Sequence, residues 1–298
     1  MLDLPTGKIL TPQEYRRLKH YCYGTSYLAA IMCCLRNETR SQREEQLFTI
    51  LSALASSFDD LTDRFPHGDT DTAWQDDPEI FGSTQDPGGL SLHFLHRIYR
   101  ILPEQDLARF RGYMIRVFKV ERAGTQTSGS STKRNPSLSA LACITEEKGG
   151  ASVLLFRSTL RHSLSNAEEN ALFLLGGLIQ LCDDIFDLWH DHHAGIATTA
   201  TYHAEQVQLP QLRTGFEQQV AATVSAFRKL PYPTKQLETT LFIVHYLISI
   251  TRLCLDHYCF LEQKHGALPL ENRTLIVVDM QKWPNRFKVI RYLFQVLE

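Results

Sequence analysis

No uninterrupted apolar run in this 298-residue chain approaches the roughly 18 residues a membrane-spanning helix needs. Its first residues, MLDLPTGKIL, lack a basic segment followed by an apolar one, so no leader is expected. Charge of one sign is missing too. Thirty-one basic against thirty-three acidic residues leave a net charge of −2, which gives no general electrostatic reason to bind nucleic acid or an anionic surface. The seven cysteines, an odd number without a C-x-x-C pair, sit mostly in apolar runs and read as buried, reduced thiols. Strand-like alternation is scarce, and there is no fixed-period repeat. These absences point to a cytoplasmic protein with no membrane span and no nucleic-acid partner.

What is present is helical periodicity. Leu47, Ile50, Leu51, Leu54, Phe58 and Leu61 recur at three- and four-residue spacing, and the same pattern runs through 13–35, 92–122, 137–162, 167–192, 204–228, 235–264 and 283–297. Only RTLIVVDM at 273–280 is short and β-branched, suiting an extended segment or a helix start. Two stretches interrupt the pattern: 65–91, rich in Pro, Gly, Asp and Thr, and 123–137, rich in Ser and Thr. Both read as long mobile loops within one domain, a lid or entrance in one view and surface insertions in the other. The expectation is an all-α, single-domain helical bundle over residues 1–298.

The segment GGLIQLCDDIFDLWHDHHAG, 176–195, raises the chemical question. A helix apolar on nearly every side runs into Asp183, Asp184, Asp187 and Asp191. At 100° per residue, Gly176, Gln180, Asp183, Asp187 and Asp191 fall in one sector of about 80°. Two carboxylates about 4 Å apart repel by roughly 4 kcal/mol at an effective dielectric of 20, so such a wall takes up protons or cations. All-oxygen ligands favour a hard ion such as Mg²⁺, which keeps waters and bridges to phosphate oxygens. Upstream, SALASSFDDLTDRF places Asp59, Asp60 and Asp63 at the end of a second apolar run, with Asp59 and Asp63 on the face of Ser52 and Ser56. Each cluster alone has an ordinary reading as solvated surface acid. Two DDxxD patterns, each closing an apolar helix, are hard to assign to composition. His190, His192 and His193 flank Asp191, but neighbouring histidines on a helix point apart, which disfavours a zinc site.

The G-x-x-x-Q-x-x-D-D-x-x-D-x-x-x-D run of Gly176, Gln180, Asp183, Asp184, Asp187 and Asp191, together with the earlier DDLTD, resembles the class I isoprenoid synthase superfamily of terpene synthases, trans-prenyltransferases and squalene/phytoene synthases. EEKGGASVLLFR is similar to the lysine-containing helix break that precedes the second motif in prenyltransferases. The resemblance covers about 45–200. It implies a bundle around a deep apolar cavity, with Mg²⁺ ions, three when diphosphate is bound, clamping a prenyl diphosphate substrate at its mouth. Asp59, Asp60, Asp63, Asp183, Asp187 and Asp191 would hold metal, with Asp184 beside or among them. Lys148, Arg157 and Gln180 would meet diphosphate. Tyr21, Tyr23 and Tyr27 suit a cavity wall, where aromatic faces stabilise cations, or, more ordinarily, core packing. The resemblance leaves a homodimer open.

Departures narrow the chemistry. RFPHG follows Asp63 where elongating enzymes carry an arginine pair, and the N-terminal region offers only EYRRLKHY. Asp183, Asp187 and Asp191 also fit a terpene-synthase metal triad, and Arg291–Tyr292 resembles the terminal Arg-Tyr pair that meets diphosphate there. The sequence therefore leans to an atypical terpene synthase. A trans-prenyltransferase, elongating or head-to-head, stands second, and a non-catalytic helical binding protein third.

Overall fold

In a computed structural model, residues 10–64, 87–129 and 136–295 are described, apart from the side chains of 58–64, 87–89, 92 and 125–129. Twelve helices and no strand occur among the described residues. In chain order they are α1 (Pro12–Arg36), α2 (Gln42–Arg64), α3 (Pro87–Ile101), α4 (Glu104–Gly129), α5 (Leu138–Arg157), α6 (Asn166–Phe186), α7 (Leu188–Ala194), α8 (Thr199–Glu205), α9 (Leu209–Arg228), α10 (Thr234–His265), α11 (Arg273–Ile276) and α12 (Trp283–Gln295). The all-α class expected from the periodicity is the class found.

Proline accounts for two of the finer boundaries. Pro103 divides the 92–122 pattern into α3 and α4, and Pro210 stands in the first turn of α9, where its missing N–H costs nothing. Residues 273–280 resolve into a helical turn, α11, followed by extended Val277. Parts of the expected loops are helical instead: 87–91 open α3, and 123–129 continue α4. Proline tolerates a helix start, and extending an established helix costs less than nucleating one. Residues 136–137 are irregular as expected, and 65–86 and 130–135 lie outside the described residues.

The chain divides into two compact units. The first comprises 1–33, 37–126 and 155–163. Its core is the packing of α2 on α3, with Leu47, Ile50, Leu51 and Leu54 buried alongside Phe94, Leu95 and Ile98. Ser57 and Ser91 bond across that interface at 2.8 Å, both buried. A capping box starts α2: Ser41 N–H donates to Glu44, and Glu44 N–H to the Ser41 hydroxyl. The second Glu44 oxygen accepts Arg161 N–H at 2.8 Å, tying 155–163 to this helix. Tyr23, read as a cavity-wall or core aromatic, is exposed, because it lies about 140–180° round α1 from buried Leu28 and Met32.

The second unit comprises 34–36, 127–154 and 164–298. Its central helix is α6, which packs on α8, α9 and α10, while α10 also receives α9 and α12. Leu172, Leu175 and Leu178 of α6, Phe216, Val220 and Phe227 of α9, and Leu241, Val244 and Ile248 of α10 are buried. α10 is the one helix among the described residues long and apolar enough to cross a bilayer, and most of its apolar stretch is buried in the protein. Ser165 caps α6 by accepting Glu168 N–H. Glu168 itself is buried and receives Arg36 at 3.2 Å and the Tyr232 hydroxyl at 2.9 Å. A buried carboxylate needs such partners. Of the cysteines, Cys182 and Cys254 are buried as expected, but Cys143 is exposed and the other four are half-buried.

Candidate functional site

The site is built where α5 crosses α6. At that crossing Gly149 and Gly150 of α5 meet Gly176 of α6 with no side chain between them. A Cβ built on Gly149 would overlap the Gly176 carbonyl, and one on Gly176 would overlap the Gly149 carbonyl and stand 2.7 Å from the Gly150 Cα. Only glycine permits this approach. Beside it, Gly177 faces Glu146 backbone and the Gln219 amide of α9. α5 runs unbroken through Lys148, so KGG acts as a contact surface and not as the helix break it is similar to.

This contact sets the register of the chemistry. Thr145, Lys148 and Gly149 share one face of α5 at three- and four-residue spacing, so the glycine contact carries the other two to the end of α6. There the Thr145 hydroxyl donates to Asp184 Oδ2 at 2.9 Å, and the Gln180 amide donates to Oδ1 at 2.9 Å. Asp184 is buried, only 6% exposed, with both oxygens engaged. Burial pushes its acidity down and its pKa up. The Gln180 and Thr145 bonds and the Lys148 ammonium oppose that rise. Gln180, expected at the diphosphate, is thus a donor to Asp184. Thr145 was not legible as a site residue, because nothing local distinguishes it until α5 and α6 are paired.

Asp183 and Asp187 are exposed, and Asp191 is half-buried. The four carboxylates interact: Asp191 is pushed up to about 7, first by burial and then by the charges of Asp184, Asp187 and Asp183, with Lys148 pulling the other way. One expectation changes. The 167–192 pattern is not a single helix but breaks at Asp187, whose φ of −92° and ψ of 7° end α6 and begin α7. Asp187 N–H still donates to the Asp183 carbonyl and Asp191 N–H to the Asp187 carbonyl, so the hydrogen-bond ladder is bent, not abolished. Tyr258 of α10 donates to the Ile185 carbonyl at 3.2 Å, supplying a donor in the last turn of α6. The 80° sector therefore holds from Gly176 to Asp183, and Asp191 rides on a separate seven-residue helix ended by Gly195 in the left-handed region, φ 69°.

The histidines of α7 go to different neighbours: His192 to Glu205 at 3.2 Å, and His193 stacked on Trp189 with ring centroids 4.1 Å apart. Among the described residues, no three His, Cys, Asp or Glu side chains stand together at metal-ligand spacing. Asp59, Asp60 and Asp63 lie on the last turns of α2 in the first unit, and their side chains are outside the described residues. Arg157, at the end of α5, is buried in the first unit. Arg291 is exposed on α12, and the Tyr292 hydroxyl bonds Asp256 of α10, which also pairs with Arg213 of α9. That bond gives the Tyr292 hydroxyl to Asp256. A groove of about 640 Å³ lies along α9 and α10, lined by Val207, Pro210, Asp256, Cys259, Phe260 and Glu262 among others. None of the acidic cluster lines it.

No protein-family model matches this chain, and neither a curated protein nor a solved structure matches it.

Proposed function

We propose that this protein is a Mg²⁺-dependent class I isoprenoid synthase of the terpene synthase kind, acting in the cytoplasm on a prenyl diphosphate. The observation that carries this reading is a graded acidic cluster at the end of a core helix. Asp184 is fixed by Thr145 and Gln180, Lys148 stands close enough to act on it, and Asp183 and Asp187 face solvent beside it.

What favours a hard divalent cation is the donor chemistry, since among the described residues no three of these side chains already stand at metal-ligand spacing. The donors are all carboxylate oxygen, and Asp191 is pushed up to about 7 largely by burial and by like charges that a cation relieves. An open set of carboxylates, short of a closed shell, suits an ion that keeps waters and takes phosphate oxygens from its substrate. In this reading Asp183, Asp187 and Asp191 would hold the ion, and Asp59, Asp60 and Asp63 would be the second set that the resemblance implies. Bound Mg²⁺ would supply Lewis-acid stabilisation of the negative charge developing on the diphosphate. Asp184 does not ligate. It holds the local geometry through Thr145 and Gln180 and balances Lys148. Lys148 offers its ammonium to the phosphate oxygens, a preorganised charge where the leaving group becomes anionic. Asp191 would have to give up its proton to hold a metal, so affinity would rise with pH through about 7. The allylic carbocation left behind is cyclised or quenched.

The test is incubation with geranyl, farnesyl and geranylgeranyl diphosphates, with and without Mg²⁺ and isopentenyl diphosphate, followed by mass spectrometry of organic and aqueous phases. Asp183→Asn is the control, since Asp183 is exposed and its replacement leaves the core intact. The expected product is a hydrocarbon or terpene alcohol that requires Mg²⁺ and Asp183 but not isopentenyl diphosphate. Longer diphosphates would make the protein a prenyltransferase. No turnover, with no rise in melting temperature from Mg²⁺ plus diphosphate, would leave a helical binding protein. A ligand at a hundred times its Kd should add about 2.7 kcal/mol.

A further inference from the structure

The last helix of the second unit has a face that its own packing does not use. α12 buries Val289 and Leu293 in packing on α10. On another face Trp283, Phe287, Ile290 and Phe294 are 67%, 64%, 47% and 61% exposed. At 100° per residue these four fall within a sector of about 60°. Four large apolar side chains in one exposed row are unlike the scattered exposure of an ordinary surface. Arg286 and Arg291, both exposed, stand roughly 70° to either side of the row, with exposed Lys288 beyond and Lys282 just before the helix. The helix WPNRFKVIRYLFQ contains no acidic residue. The Arg286 guanidinium lies 5.3 Å from the centroid of the Trp283 ring, keeping one cation at the rim of the apolar row.

The charges decide what covers this row. Pairing α12 with α12 of a second copy would bring two sets of Arg286, Lys288 and Arg291 together, with no carboxylate on either helix to balance them. An anionic lipid surface offers the complement to both features. Aromatic and aliphatic side chains enter the boundary between headgroups and acyl chains, and flanking arginines meet the headgroup charge. We propose that α12 seats this protein on the surface of a bilayer carrying anionic lipid headgroups, with Trp283, Phe287, Ile290 and Phe294 inserted and Arg286 and Arg291 at the headgroups. The chain is held on the surface and does not cross it.

The test uses the full chain and two sets of vesicles, phosphatidylcholine alone and phosphatidylcholine mixed with phosphatidylglycerol, in a co-sedimentation assay. The chain is expected on the mixed vesicles, less so as salt is added, and not on the neutral ones at equal lipid. Arg286→Gln/Arg291→Gln is expected to weaken binding about 25-fold, near fivefold for each cation. Phe287→Ser/Phe294→Ser is expected to weaken it more than tenfold. All four side chains are exposed, so the variants should keep the parent melting temperature, which is measured beside the binding. Absence of the parent chain from the mixed vesicles overturns the proposal, as does binding that neither pair of substitutions changes. A dimer in sedimentation velocity that Phe287→Ser/Phe294→Ser dissociates, without vesicle binding, assigns the row to a second copy instead.

Discussion

Replacing Gly176 by alanine tests the helix crossing on which the site depends. In an ordinary helix interior the change stabilises by about 1 kcal/mol, through helix propensity alone. Here the new methyl would overlap the Gly149 carbonyl, a backbone atom that cannot rotate aside. Overpacking costs about 1–3 kcal/mol when side chains can yield. With backbone on both sides the upper end applies, leaving a net loss of about 2 kcal/mol. For a unit of this size that lowers the melting temperature by about 4–8 °C. Gly215→Ala on α9 is the matched control, because a Cβ there has nothing within 4 Å and only the propensity gain remains. Urea titration and thermal melts of both variants measure the difference. If Gly176→Ala matches Gly215→Ala, the two backbones do not touch and the register assigned to Thr145 and Lys148 is wrong.

Three further substitutions probe the electrostatics. Asp191 has a folded pKa of about 7, above its ordinary value, so the folded state holds the proton more tightly than the unfolded one. Its ionisation therefore lowers stability as pH rises from about 4 to 7. The shift converts to at most about 4 kcal/mol, and water reaching the half-exposed side chain reduces that to about 1–2. Asp191→Asn should accordingly stabilise the metal-free chain by about that amount at pH 8 and not at pH 4, read from urea midpoints. An equal gain at both pH values would refute the charge argument. Arg36→Met should destabilise by about 3–5 kcal/mol, because buried Glu168 loses its cation. Adding Glu168→Gln should recover at least half of that loss in a double-mutant cycle.

The helical class was legible because the 3.6-residue period is carried by the apolar side chains themselves, as in Leu47 to Leu61 and Ala171 to Cys182. The break at Asp187 was not. The apolar positions Ile185 and Leu188 keep helical spacing across it, and the bonds from Asp187 and Asp191 persist on either side, so side-chain pattern hardly registers the bend. The partners of Asp184 divide the same way. Gln180 was visible four residues upstream on the same helix, but it was assigned to substrate and not to Asp184. Thr145 lies 39 positions away and becomes a neighbour only through the α5–α6 contact. Both glycine pairs stood in the sequence, yet that they meet each other is a tertiary fact. The exposed row on α12 was hidden inside an unremarkable periodic segment, because period alone does not say which apolar side faces the protein.

The bend at Asp187 divides the acidic cluster between two mechanical parts. Asp183 and Asp184 belong to a helix pinned on one side by the glycine contact and near its end by Tyr258, and they behave as a fixed jaw. Asp191 belongs to a seven-residue piece with a joint before it and a left-handed glycine after it. Were the α6–α7 aspartates to take the ion proposed for them, adjustment to its radius would fall to α7, a single short lever turning against an immovable stop.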